Sequence, residues 1–257
     1  RDSSTSRGLG DVYKRQDEGR LLYDHVSEAF EALNEGEEKL KRSIELGVGQ
    51  LKIGVSSTLC KYMLLPYLKE FIHRNPHISI SIECQSTNET LKLLDDDKID
   101  IGLIGKPTSL KTFNFYYLDN IEDIFVTTKD YLRNLSARGV KKSEILQNST
   151  LMLLDKGNMT RKYIDDYLQE NQIHVKDSID ISNMDLLIDF AKIGVGVACV
   201  IKSIVSKELA DGTLIEIPLG IPIHKREVGF AYKESSKLST SLQTFIKFYE
   251  SYTPEDF

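Results

Sequence analysis

LKIGVSSTLCKYMLLPYLKEFIHRNPHISISIECQSTNETLKLLDDDKIDIGLIG, residues 51–105, carries the alternation that decides the fold. LKIGV (51–55) is apolar enough for a buried parallel strand. Tyr62, Leu65, Leu68, Lys69 and Ile72 follow helical spacing up to a stop at Asn75-Pro76. ISISIEC (78–84) alternates as a strand, 87 to about 97 reads as a helix, and IDIGLIG (99–105) is a third buried strand. Hydroxyl and amide residues stand where strands hand over to helices. That placement aims helix N-termini, hydroxyls and backbone N–H groups at a small, anionic ligand.

Downstream the theme repeats. Lys106-Pro107 opens a loop, and strands are expected near 115–118 and 121–128. Residues 150–154, 178–181 and 196–201 read as strands, separated by helices at 159–171 and 184–193 and followed by a short helix to about Leu209. A strand at 226–232 and a helix at 239–252 close the chain. Strand–helix alternation of this kind predicts an α/β fold with mostly parallel sheets. Two units of roughly a hundred residues would enclose a cleft. The expected first subdomain takes about 50–123 and 226–257, and the second about 124–225. The crossing strands, 121–128 outbound and 223–230 on return, are the candidate hinge.

Upstream, 17–46 reads as one proline-free helix that Gly47 and Gly49 end. Val26, Phe30, Leu33, Glu37, Leu40 and Ile44 alternate at spacings of four and three, a coiled-coil seam with one polar interruption. Such a helix is either a dimerising connector or folds back on the globular body. The first sixteen residues, RDSSTSRGLGDVYKRQ, have no apolar periodicity and are expected to be disordered or a non-native leader. A DNA-gripping arm is the alternative, from a thin patch of four cations.

The candidate binding residues sit at the junctions. Ser56, Ser57 and Thr58 follow the first strand; one of them serves as a cap, and three hydroxyls exceed that need. Gln85 and Thr87 flank the second junction, and Gly105 ends the third strand, where a ligand could approach the backbone. Asn158, Met159 and Thr160 form the matching junction of the second unit, and Thr127 and Gly196 are further candidates.

Catalytic motifs are missing: there is no phosphate-binding G-x-x-x-x-G-K-[ST] and no H-E-x-x-H. His73 and His77 are separated by Pro76, which argues against a metal pair, and Asp95-Asp96-Asp97 reads as a solvated helix end. No catalytic residue, metal or cofactor is therefore expected. Cys60 falls in a first helical turn, where a thiol is either activated or buried and inert. Three scattered cysteines, Cys60, Cys84 and Cys199, make no disulfide framework, and a reducing cytoplasm is the expected compartment. The net charge of −6 argues against a body that coats nucleic acid. No apolar run approaches the roughly 18 residues of a membrane span.

An ordered set of segments resembles LysR-type transcriptional regulators from Asp17 to the C-terminus. DEGRLLYDHVSEAFEAL is similar to the linker helix of that family, and GQLKIG (49–54) to the start of its sensor. Leu65-Pro66 with Phe71 and Pro76 matches an "L-L-P … F … P" pattern, and KIDIGL (98–103) a "G-x-L-D-x-a-l" strand. Asn183-Met184, GVGVA (194–198) and 209–217 follow in order. The resemblance implies a periplasmic-binding-protein type II fold, with two Rossmann-like subdomains preceded by a linker helix over 17–47. It also implies a small-molecule effector in the cleft and a homodimer or homotetramer. The family's winged helix-turn-helix has no counterpart here, so DNA contact is expected only through that missing N-terminal part. A transporter's solute-binding protein of the same fold is the alternative.

Overall fold

A computed structural model describes residues 7–45, 49–107, 109, 112–234 and 238–254. Two compact units are present, residues 1–49 and 50–257. The first is a single helix, α1 (Arg7–Glu45), of 39 residues and therefore about 58 Å long. It begins ten residues before the expected start at Asp17, so residues 7–16 of the expected leader are helical. Gly8 and Gly10 each cost about 1 kcal/mol relative to alanine, which weakens a helix without ending it. Val26, Phe30 and Leu33 are all exposed, by 48%, 64% and 69%. The side chains of Leu40 and Ile44, and Gly47 itself, lie outside the described residues.

The second unit follows the expected alternation. β1 (Gly49–Val55) leads through the short α2 (Ser57–Leu59) and a π-turn at Cys60–Leu64 into α3 (Leu65–Arg74). β2 (Ile78–Cys84), α4 (Thr87–Asp95), β3 (Ile101–Gly105) and β4 (Phe113–Ile121) come next. β5 (Asp123–Thr127), α5 (Lys129–Ala137), α6 (Ile145–Asn148) and β6 (Thr150–Leu154) start the second half. α7 (Met159–Glu170), β7 (Asp177–Ile181), α8 (Met184–Lys192) and β8 (Val197–Ile201) continue it. α9 (Ser206–Asp211), β9 (Ile215–Glu216), β10 (Arg226–Lys233) and α10 (Thr240–Ser251) complete the chain.

Two five-stranded sheets result, ordered β2-β1-β3-β10-β4 and β7-β6-β8-β5-β9. β1 pairs with β3, and β6 with β7 and β8, in parallel. The sheets are mixed rather than mostly parallel, because β10 runs antiparallel to β3 and β4, and β5 antiparallel to β8 and β9. β5 and β10 follow the two passages between the sheets and enter each against its neighbours. Outbound, Glu122 alone separates β4 from β5.

Side-chain caps set where helices begin. Ser86, Thr128, Asn158, Asn183 and Ser239 each accept a backbone N–H from the first turn of the helix that follows. α4 stops at Asp95, two residues before the expected end, where Asp97 takes a left-handed φ of 54°. Phe71, Phe230, Phe245 and Tyr249 form an aromatic nest where α3 and α10 cover the first sheet. One buried cluster runs from Leu51, Ile53 and Leu103 through Leu59 and Met63 to Met152, Met184 and Ala198, so the two sheets share apolar core on one side. Among the described residues no helix is long and apolar enough to cross a membrane.

Candidate functional site

The strand-to-helix junctions converge. After β1 the backbone turns at Ser56, whose Oγ accepts the Leu59 N–H at 3.3 Å while its carbonyl accepts from the Cys60 N–H at 2.8 Å. Ser86 repeats this after β2, accepting the Glu89 N–H at 3.3 Å, and Asn158 opens α7 by accepting the Thr160 N–H at 2.8 Å. Capping satisfies one donor at each junction and leaves the remaining first-turn N–H groups of α4 and α7 free to face a ligand.

A cavity of about 750 Å³ lies between these junctions. Ser56, Thr58, Ser86, Thr87, Asn88 and Gly105 line it from the first sheet's side, and Asn158, Met159, Thr160, Lys162 and Tyr163 from the side of α7. Of the residues expected from sequence, Ser56, Thr58, Thr87, Gly105, Asn158, Met159 and Thr160 are thus together. A Cβ built on Gly105 would meet nothing within 4 Å, so the space beside it is open.

Four expected residues lie off the lining. Ser57 is exposed. Gln85 is used by its backbone, which donates to the Val55 carbonyl at 2.9 Å. Thr127 is fully buried and its hydroxyl donates to the Gly196 carbonyl at 2.8 Å. Gly196 is itself packed so closely that a Cβ would collide with the Thr150 carbonyl oxygen. Thr127 and Gly196 thus tie β5 to the start of β8.

The charged lining was not legible in the sequence. Lys106, Lys162, Lys225 and Arg226 face the cavity together with Asp166 and Glu227. Arg226, the first residue of β10, grips the fully buried Asp123 side chain through two hydrogen bonds of 2.8 and 2.9 Å. It also donates to Thr160 Oγ1 at 3.2 Å and lies over the Tyr163 ring at 5.2 Å. Burial pushes the Asp123 carboxyl up, and the Arg226 guanidinium opposes that shift. Lys106 pairs with Glu227, and Lys225 with Glu122 at 3.0 Å. The hydrogen bond from Lys225, seconded by Lys202, holds the Glu122 carboxyl below its ordinary value. Lys162 has no ion-pair partner among the described residues. A strand-initial cation next to the expected return crossing was the one available signal for Arg226.

Just past the Ser56–Thr58 turn, Lys61 and Tyr62 reach Asp185 at the start of α8. The Lys61 ammonium lies 2.7 Å from the carboxylate, and the Tyr62 hydroxyl donates to the same oxygen. The Lys61 hydrogen bond, then that of Tyr62, holds Asp185 below the ordinary carboxylate value. Among the described residues no group of three or more His, Cys, Asp or Glu side chains could hold a metal ion.

Comparison with known proteins fits this architecture. The chain is 23% identical over 231 residues to the uncharacterized HTH-type transcriptional regulator YeiE of Escherichia coli, covering 90% of this chain and 76% of that protein. The regulatory domain of Synechocystis PCC6803 CcmR, solved in complex with 2-PG, superposes with a TM-score of 0.65 at 19% identity, over 78% of this chain and 95% of that one. The effector-binding domain of QuiR in complex with shikimate gives 0.62 at 16% identity, over 78% and 94%. The LysR substrate binding domain family matches residues 45–253, most of the chain, so this protein belongs to that family and is of the LysR-type regulator kind.

Proposed function

We propose that the second unit is an effector sensor of a transcriptional regulator, and that its effector is a small carboxylate or other oxyanion held in the 750 Å³ cavity. One observation carries this reading: Ser56, Thr58, Thr87 and Thr160 hydroxyls, the N-termini of α4 and α7, and the uncommitted Lys162 face the same space. Hydroxyl donors and helix-terminal N–H groups suit an anion, and Lys162 offers an ammonium outside the Arg226–Asp123 ion pair, with Asp166 an acidic group on the same lining. That CcmR and QuiR were solved with 2-PG and shikimate supports a small-metabolite ligand. YeiE being an HTH-type regulator favours this over a transporter's solute-binding protein.

In this reading α1 dimerises through Val26, Phe30 and Leu33, with Leu40 and Ile44 extending the seam. The exposure of Val26, Phe30 and Leu33 leaves apolar area for a second copy to cover. DNA contact belongs to a separate winged helix-turn-helix, the effector shifts the balance between two subunit arrangements, and the lining takes part in no turnover. The reading is tested by thermal unfolding of the chain against a panel of carboxylates and inorganic oxyanions. A true ligand at a hundredfold excess over its Kd adds about 2.7 kcal/mol, and Thr58→Ala must weaken that gain. A flat panel, or a gain insensitive to Thr58→Ala, overturns the anion assignment.

A further inference from the structure

Cys60 and Cys84 are 24 positions apart in sequence but are held together by the junctions described above. The Gln85 N–H donates to the Val55 carbonyl at 2.9 Å, and the Cys60 N–H donates to the Ser56 carbonyl at 2.8 Å. Each of these bonds involves a cysteine or its immediate neighbour, and the acceptors are consecutive residues. The end of β2 is therefore fixed against the turn that carries Cys60. The Cys84 side chain is near enough to the Cys60 thiol to raise it, second to the effect of burial. Cys60 also opens the π-turn Cys60–Leu64, in which the Leu65 N–H reaches back to the Cys60 carbonyl. Such single-turn widenings are local departures from helix geometry that recur at functional sites. Cys84 is exposed, Cys60 half-buried and Cys199 buried.

We propose that Cys60 and Cys84 form a dithiol modification site, oxidised to an intramolecular disulfide by a peroxide, at the rim of the cavity. Cys84 reacts first because it is exposed. Burial, and then the neighbouring Cys84, hold the Cys60 thiol above its ordinary value and leave it the slower nucleophile. The Cys84 thiolate attacks one peroxide oxygen: an S–O bond forms, the O–O bond breaks, and the departing hydroxide takes up the displaced thiol proton as water. The Cys60 sulfur then attacks the sulfenic sulfur: the S–S bond forms, the S–O bond breaks, and a second water leaves with the Cys60 proton. Two thiols are oxidised and one peroxide reduced to two waters. A disulfide needs Cα atoms within about 7 Å, so closing it fixes the Ser56–Thr58 turn against Ser86 and Thr87 and sets that wall of the cavity.

The test is peptide mapping and thiol titration of the full chain after graded hydrogen peroxide. The expected product has lost two of its three thiols, contains one linked peptide pair carrying Cys60 and Cys84, and is restored by dithiothreitol. Cys60→Ser should leave a Cys84 sulfenic acid that dimedone traps, and Cys84→Ser should slow thiol loss at least about tenfold. Three results overturn the proposal: all thiols persisting, Cys84 over-oxidising equally fast with and without Cys60, or a bridge forming only between chains. Linkage mapping on the unsubstituted protein decides the matter even where a serine variant misfolds.

Discussion

Arg226 and Asp123, each the first residue of its strand, bind each other across the two strands that follow the passages between the sheets. The Asp123 side chain is fully buried and the Arg226 side chain 16% exposed, so the pair is shielded from solvent on the carboxylate side. Arg226→Ala strands a buried carboxylate and should cost about 3–5 kcal/mol in urea unfolding. Joint replacement of both by apolar residues should recover much of that loss. Arg226→Lys should not, since an ammonium cannot reproduce the two-pronged contact. A cost near zero for Arg226→Ala would refute the structural weight given to the pair.

Two glycines should separate ligand binding from stability. Gly105→Val projects a side chain into open cavity, so the unfolding free energy should change by no more than about 0.5 kcal/mol, while anion binding falls at least about tenfold. Gly196→Ala drives a Cβ into the Thr150 carbonyl and should destabilise by about 1–3 kcal/mol. Equal loss of stability in both would dissociate Gly105 from the cavity.

Lys162→Ala should weaken the binding of any anionic effector about five- to tenfold, with a shallower dependence of affinity on salt. Isothermal titration at two ionic strengths checks both. An unchanged affinity would mean the anion is held by hydroxyls and helix termini alone.

Asp185 gives a pH signature. Its carboxyl is lowered in the folded protein, so the folded state holds fewer protons than the unfolded one wherever the two differ. Its contribution is complete above the ordinary value of 3.8 and is lost as pH falls through the lower folded value. The stability difference between the native chain and Asp185→Asn should therefore be steady near pH 6 and shrink from about pH 4 downward. A difference that grew on acidification would reverse this assignment.

Phe30→Glu should shift the sedimentation coefficient toward the monomer while leaving the unfolding midpoint of the second unit unchanged. Phe30 is 64% exposed on the seam proposed to dimerise. Unchanged sedimentation would remove α1 from the assembly.

Periodicity made the elements legible because burial imposes it: LKIGV, ISISIEC and IDIGLIG each carried the pattern of a strand facing a core. The hydroxyls of Ser56, Thr58, Thr87 and Thr160 were readable for a related reason, since strand-to-helix handovers have a known polarity. Antiparallel pairing of β5 and β10 was not readable, because strand direction depends on where a chain re-enters a sheet. Nor was the charged lining. Asp123 and Arg226 are 103 residues apart, and no local pattern announces such a pair. Thr127 and Gly196 look like site residues by position, but their hydrogen bond spends both on packing. The Cys60–Cys84 neighbourhood depends on β2 lying beside β1, a matter of sheet order.

The single-residue passage at Glu122 has a mechanical meaning. A longer connector would absorb torsion as slack, leaving one half of the unit indifferent to the orientation of the other. With β4 ending at Ile121 and β5 starting at Asp123, one residue joins the two sheets on the outbound passage and leaves no slack there. Lys202, just after β8, and Lys225, just before β10, both pair with the Glu122 carboxylate, at 3.3 and 3.0 Å. Lys225 also lines the cavity, so one cation borders both the single-residue connector and the ligand space.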